Sequence, residues 1–264
     1  MSVGGVSKSV VLAVLGSLGV GASVGYRLAA SLLTNKAAAV QTTKPRVYIY
    51  DHCPFSTRVR AIFALKGVDV EIVFLQNRDE ATPIALVGSK VVPILETPDG
   101  LIMKESMDIV RYVDTHLGGK PILAESEAAS REDLKMWLQD SADVMNRLYH
   151  PRAEVGYFAE FAEPASRAYY RKKKEPSIGP FEVAIANSPA YVETFNQFLV
   201  ELEGLLRTPK SVNDTLSYDD IDLFGRLRRL TIVKNVVWPP KVRAYIDHYE
   251  TVTGVSLLDS IAQF

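Results

Sequence analysis

One run constrains the fold of this chain more than any other: a strand, a turn holding the only cysteine, and a helix, all within residues 47–66. After Pro45 comes Val47-Tyr48-Ile49-Tyr50, β-branched and aromatic, then Asp51-His52-Cys53-Pro54, then apolar Val59, Ile62, Phe63 and Leu65 at helical spacing. A second apolar strand, Val70 to Phe74, follows Gly67. The β-α-β order requires the two strands to pair in parallel, with a right-handed crossover. Val91-Val92-Pro93-Ile94-Leu95, the turn Pro98-Asp99-Gly100 and Leu101-Ile102-Met103 then predict an antiparallel hairpin. A helix over Glu105–Leu117, with Ile109, Val110 and Val113 on one face, closes the unit. From about residue 125 the apolar spacing is helical, apart from an ambiguous run at Thr231–Val237. The expected organisation is therefore an α/β unit over 46–118 and an all-α unit over 119–264, preceded by an extension over 1–45. Within the second unit, Leu216-Ser217-Tyr218-Asp219-Asp220-Ile221 reads as a capping box with a hydrophobic staple, opening a buried helix that runs to Leu230.

Cys53 stands alone, and the histidines number four (His52, His116, His150, His248). Neither an internal disulfide nor a cysteine-based zinc site can be built, and no metal is expected. A thiol at a helix start faces unpaired N–H groups and the positive end of the helix dipole, which favour its thiolate. Arg58 and Arg60 lie in the following turns, and Pro54 suits the first helical position. The bland alternative is a buried, inert cysteine. Pro93 belongs at a strand start or in a cis bond; if cis, it leaves the main chain of Val92 free to pair with an extended peptide. Glu105-Ser106 is either an ordinary helix start or a clamp, its N–H groups and hydroxyl holding a carboxylate while Glu105 accepts from an ammonium. Thiolate, open strand edge and amino-acid clamp together describe a site for a small thiol peptide with a free γ-glutamyl end.

With 30 Lys and Arg against 31 Asp and Glu, the chain has no global basic field, and a nucleic-acid partner is not expected. The first fifty residues differ from the rest: they hold Lys8, Arg27, Lys36, Lys44 and Arg46 and no acid. Between Lys8 and Arg27 lie eighteen uncharged residues, 9–26. As a helix these would span about 27 Å, close to a bilayer core of roughly 30 Å. A retained membrane helix is the leading reading, supported by Gly21 and Gly25 at a spacing that lets helices pack closely; a removable organellar presequence and a secretory signal are the alternatives. Lys172 to Lys174 read as a solvated helix end, or less readily as a contact for anionic lipid.

Val47 to Phe264 resembles the bacterial-type glutaredoxin 2 family along its whole length, on the stretches YIYDHCP, VPIL, ESMDIVRYVD, LSYDDIDLF and WPPKVRAY. The resemblance implies a thioredoxin-fold N-terminal domain followed by an all-helical domain of glutathione-transferase type. It implies glutathione as co-substrate and glutathionylated proteins as partners. Cys53 is then the nucleophile, with Pro54, Phe55 and Arg58 around it; Val92 and a cis Pro93 pair with the glutathione backbone, and Glu105 and Ser106 hold the γ-glutamyl group. The family motif Cys-Pro-Tyr-Cys reads Cys53-Pro54-Phe55-Ser56 here, so the resolving thiol is missing, and the Ser56 hydroxyl is left to stabilise the Cys53 thiolate. The extension over residues 1 to about 44 is a second departure. Two functions follow: a membrane-anchored monothiol glutaredoxin, or a non-catalytic accessory subunit of a large respiratory or photosynthetic membrane complex that reuses the fold. The expected location is an organellar membrane, the mitochondrial inner membrane ahead of a plastid membrane, because a chain without disulfides suits a reducing compartment.

Overall fold

The structure, a computed structural model, describes residues 43–264; the membrane helix expected at 9–26 lies outside the described residues. Strand β1 (Arg46–Ile49) is an inner strand of a four-stranded sheet ordered β2-β1-β3-β4. It pairs in parallel with β2 (Glu71–Phe74), Val47 opposite Ile72, and antiparallel with β3 (Ile94–Glu96), Val47 opposite Leu95. β4 (Ile102–Met103) completes the hairpin, Leu95 opposite Met103. Helix α1 (Pro54–Leu65) joins β1 to β2, α2 (Ala81–Val87) lies between β2 and β3, and α3 (Ser106–His116) follows β4. The β-α-β unit and the hairpin are as expected from the sequence, with ends shifted by a residue or so except in β3, which starts at Ile94, three residues after the start of the apolar run at Val91. The spacing does not announce α2, whose seven residues include Pro83 and which stops at Gly88 in the left-handed region, φ 74°.

Alternation along β1 sorts its side chains between two cores. Val47 and Ile49 join Ile62 and Phe63 of α1 and Ile109 and Val113 of α3, in a cluster continuous with the helical part of the chain. Tyr48 and Tyr50 point to the opposite face and pack with Leu75, Ile94 and Cys53.

The remaining helices are α4 (Glu132–Asp140), α5 (Ala142–Val155), α6 (Pro164–Ile178), α7 (Phe181–Ala186), α8 (Ser188–Leu205), α9 (Tyr218–Arg228) and α10 (Pro240–Thr253). Among the described residues no helix is long and apolar enough to cross a membrane. The ambiguous run at Thr231–Val237 resolves as the end of a 3-10 turn (Arg229–Ile232) and a single bridge from Val233 to Gln263. The capping box is present: the Ser217 N–H donates to the Asp220 carboxylate at 2.8 Å, and α9 starts at Tyr218, directly after the cap, and ends at Arg228, two residues short of the expected Leu230.

Helix α9 is what sets the helical part against α1. A Cβ on Gly225 would lie 2.6 Å from the Pro54 carbonyl oxygen and 3.0 Å from Arg58 Cγ, so only glycine permits this approach. One turn on, buried Arg228 donates to the Asp51 carbonyl at 2.7 Å, the Asp51 carboxylate at 3.0 Å and the Ser256 carbonyl at 2.8 Å. The turn that presents Cys53 is thereby held from the helical side.

Candidate active site

Cys53 occupies the N-cap of α1, with φ −78° and ψ 122°, and Pro54 takes the first helical position, where its missing N–H costs nothing. Its sulfur faces a cleft of about 1020 Å³ between the sheet unit and the helices. Of the residues marked from the sequence, Pro54, Phe55, Arg58, Val92, Pro93, Glu105 and Ser106 line this cleft with Cys53. Ser56 does not: it is fully buried behind the cysteine, its hydroxyl accepting from the Tyr50 N–H at 3.4 Å and donating toward the thiol.

On the sheet side, the Val92–Pro93 peptide is cis, and the proline immediately precedes β3. Glu105 caps α3 with φ 70°, a left-handed conformation that a non-glycine residue adopts at some cost and that clusters at functional sites. Arg58 lines the cleft with Cys53, and its guanidinium is also committed to partners of its own. Its guanidinium donates to the Ser106 hydroxyl at 2.9 Å, pairs with the Asp222 carboxylate and lies 4.6 Å from the Phe55 ring centroid. It ties α1, α3 and α9 together at the cleft edge. Arg60 does not line this cleft; it is paired with Asp51 at 2.5 Å.

The residue before the cysteine is held as firmly as the one after. The His52 N–H donates to Glu160 Oε1 at 2.8 Å, and His52 Nδ1 meets the same oxygen at 2.5 Å; Glu160 itself is completely buried. The imidazole stacks near-parallel with Tyr50 (5.6 Å between centroids) and with Phe161 (4.9 Å), and its carbonyl accepts from the Tyr149 hydroxyl. Burial works to raise the Glu160 carboxyl, yet the hydrogen bond and charge of His52 hold it below the usual carboxylate range.

The wall opposite the sheet comes from α5, α6 and the turn after α9. Tyr170, Lys173, Lys174 and Ser177 line it at the i, i+3, i+4, i+7 spacing of one helical face, and Tyr149, His150 and Arg229 complete it. The lysine run read as solvated thus sends Lys173 and Lys174 into the cleft. His150 donates to or accepts from the Tyr170 hydroxyl at 2.7 Å, and burial with the Lys174, Arg229 and His52 charges pushes its pKa well below the ordinary imidazole value. Sequence reasoning missed this wall; the only signal for it was the helical face that Tyr170, Lys173, Lys174 and Ser177 share.

The thiol's electrostatics differ from the expectation as well. Burial pushes the Cys53 thiol up, against the lowering effect of the Ser56 N–H and hydroxyl, the Phe55 N–H and the Lys174 charge. The helix-start donors are present as expected, but removal from water outweighs them. Alkylation of ligand-free protein by iodoacetamide is therefore expected to keep accelerating with pH beyond about 8.5, the ordinary thiol value; a rate already level at neutral pH would mean that the donors win.

Two family descriptions match this arrangement: Glutathione S-transferase, N-terminal domain, over residues 52–116, and Glutaredoxin 2, C terminal domain, over residues 133–262. Glutaredoxin 2 of Escherichia coli K12 is 42% identical over 217 residues, which is 82% of this chain and 99% of the relative. The chain belongs to the glutaredoxin 2 family. Glutaredoxin 2 of Salmonella typhimurium, solved in complex with glutathione, matches with a TM-score of 0.79 at 42% identity, covering 84% of this chain and all of that one. A glutathione S-transferase of Ceriporiopsis subvermispora shares the fold at 16% identity, with a TM-score of 0.60 over 84% of this chain and 99% of the other. The glutaredoxin 2 resemblance read from the sequence is borne out. So is the architecture of a thioredoxin-like sheet unit followed by a helical unit of glutathione-transferase type.

Proposed function

We propose that this protein is a glutathione-dependent monothiol oxidoreductase that reduces protein–glutathione mixed disulfides, with Cys53 as nucleophile. The observation that carries the reading is the placing of the chain's only thiol on one cleft with the cis Val92–Pro93 peptide and the Glu105–Ser106 helix start. It is supported by membership in a family with a glutathione-bound member.

In this reading the glutathione half of the substrate lies along the sheet side. The Val92 main chain pairs with the glutathione backbone, while the Ser106 N–H and hydroxyl receive the γ-glutamyl carboxylate and Glu105 accepts from its ammonium. The Cys53 thiolate attacks the glutathione sulfur. A Cys53–glutathione disulfide forms, and the protein substrate leaves as a thiolate that takes up a proton. A second glutathione, as thiolate, attacks the same glutathione sulfur; oxidised glutathione leaves and the Cys53 thiolate returns. The Ser56 and Phe55 N–H groups and the Ser56 hydroxyl hold that thiolate in both halves of the cycle. The full chain is expected to reduce a glutathionylated peptide in the presence of glutathione. Folded protein without turnover would instead favour the accessory-subunit reading, which the open cleft at Cys53 speaks against.

The missing resolving thiol sets the limit of this chemistry. Ser56→Cys is expected to confer reduction of an intramolecular protein disulfide, absent in the parent, measured by insulin turbidity; equal rates in both proteins would argue against monothiol chemistry.

The proposal includes attachment to an organellar membrane through residues 9–26, supported by their uncharged composition between Lys8 and Arg27. Release of the full chain from membranes by alkaline carbonate would contradict it.

A further inference from the structure

The charged side chains lining the cleft divide unevenly between its walls, the sheet unit carrying Arg58 and Lys90 as well as all of the acids. Every acidic side chain lining it, Glu80, Glu105 and Asp108, comes from the sheet unit. The helical wall contributes Lys173, Lys174 and Arg229 and no acid.

Arg229 is the unusual member. It is 7% exposed, yet among the described residues no carboxylate lies within 4 Å of its guanidinium. Nη1 donates to Asn146 Oδ1 at 2.9 Å and Nη2 reaches Met145 Sδ at 3.7 Å, while Nε has no partner among the described residues; the Tyr149 ring lies 5.3 Å from the guanidinium carbon. A buried cation is ordinarily paired, and leaving it unpaired is costly. Lys174 is half-buried and likewise faces no carboxylate among the described residues, its ammonium 5.8 Å from the Tyr170 ring centroid. Both residues line the same cleft as Cys53. Lys90, also on the cleft, is different: three oxygens, those of Tyr50, Asn77 and Asp79, already hold its ammonium. The free positive charge beside the thiol is therefore on the helical wall.

We propose that Arg229 and Lys174 form an anion subsite for the half of the disulfide that is not glutathione, so that preferred substrates carry a carboxylate beside the glutathionylated sulfur. The inference rests on the glutathione reading above: with glutathione along the sheet side, the sulfur bonded to it points at the helical wall. A carboxylate there accepts from Arg229 and neutralises a desolvated charge; a hydroxyl can accept but leaves the charge, and an ammonium can do neither.

The test uses uncleavable thioether analogues, so that binding is read without turnover. Calorimetric titration of the full chain compares S-(2-carboxyethyl)glutathione, S-(2-hydroxyethyl)glutathione and S-(2-aminoethyl)glutathione. The carboxyethyl compound is expected to bind about tenfold tighter than the hydroxyethyl one, and the aminoethyl compound more weakly than either. In Arg229→Gln the preference for carboxyl over hydroxyl is expected to fall to within about twofold. Arg229 is buried and its variant is at risk of misfolding, so Lys174→Gln, at a half-buried position, serves as the second variant and is expected to reduce the same preference. Equal binding of the carboxyethyl and hydroxyethyl compounds by the parent protein would overturn the subsite and leave the glutathione reading standing. Failure of all three to bind would overturn the glutathione reading and this inference with it.

Discussion

Replacing Cys53 by serine is expected to leave no glutathione-dependent reduction of a glutathionylated peptide above the uncatalysed rate, in a protein that still folds. The cycle passes through a disulfide to residue 53, and a hydroxyl can neither ionise near neutral pH nor form that bond. Nothing else in the chain can substitute, because there is no second thiol and a hydroxyl, that of buried Ser56 included, cannot form the disulfide. The substitution changes one atom at a nearly buried position with no disulfide, so thermal stability should shift by only about 1 kcal/mol. Residual turnover in the serine variant would assign the chemistry elsewhere.

Glu160→Ala is expected to cost both stability and activity. Glu160 is completely buried and receives the N–H and the ring nitrogen of His52. The alanine leaves two buried donors without an acceptor, a loss of about 3 to 5 kcal/mol. For a chain of this size that corresponds to a fall in Tm of roughly 10 °C. The same carboxylate positions the residue before the nucleophile, and small misplacement of a reacting group lowers rates by as much as about a hundredfold. A fall in kcat/KM beyond the loss of folded protein is therefore expected. Glu160→Gln, which keeps one acceptor, should recover part of both effects.

The carboxyl of Glu160 is held below the usual range, so its contribution to stability is present at neutral pH and disappears as pH falls below about 4, when the folded state must take up the proton. Acid melting curves of parent and Glu160→Gln should therefore converge on acidification. An unchanged Tm in the alanine variant would show that the His52–Glu160 contact does not hold the turn.

What the sequence made legible was local. The strand at Val47, the parallel return at Phe74, the hairpin around Asp99 and the capping box at Ser217 each depend on residues within a few positions of one another, where periodicity and turn chemistry act. The sheet side of the cleft could be named for the same reason, since Cys53, Pro93 and Glu105 each sit at an element boundary. The helical side could not. His52 and Glu160 are 108 positions apart, and no periodic signal relates them. The Lys172–Lys174 run was visible as charge, but whether it meets solvent or a cleft depends on which face of α6 turns inward, and that is settled by packing. The thiol's environment failed for a related reason: donors at a helix start can be counted from sequence, whereas the burial of the sulfur by the folded chain cannot.

The central claim is that Cys53 exchanges with glutathione and has no internal thiol to resolve the product. Mass spectrometry of the reduced full chain after one equivalent of glutathionylated peptide, without added glutathione, tests it most directly. The expected result is a persistent Cys53–glutathione disulfide with stoichiometric release of the peptide thiol, cleared only when glutathione is added. Folded, unmodified protein with no peptide thiol released would contradict the account.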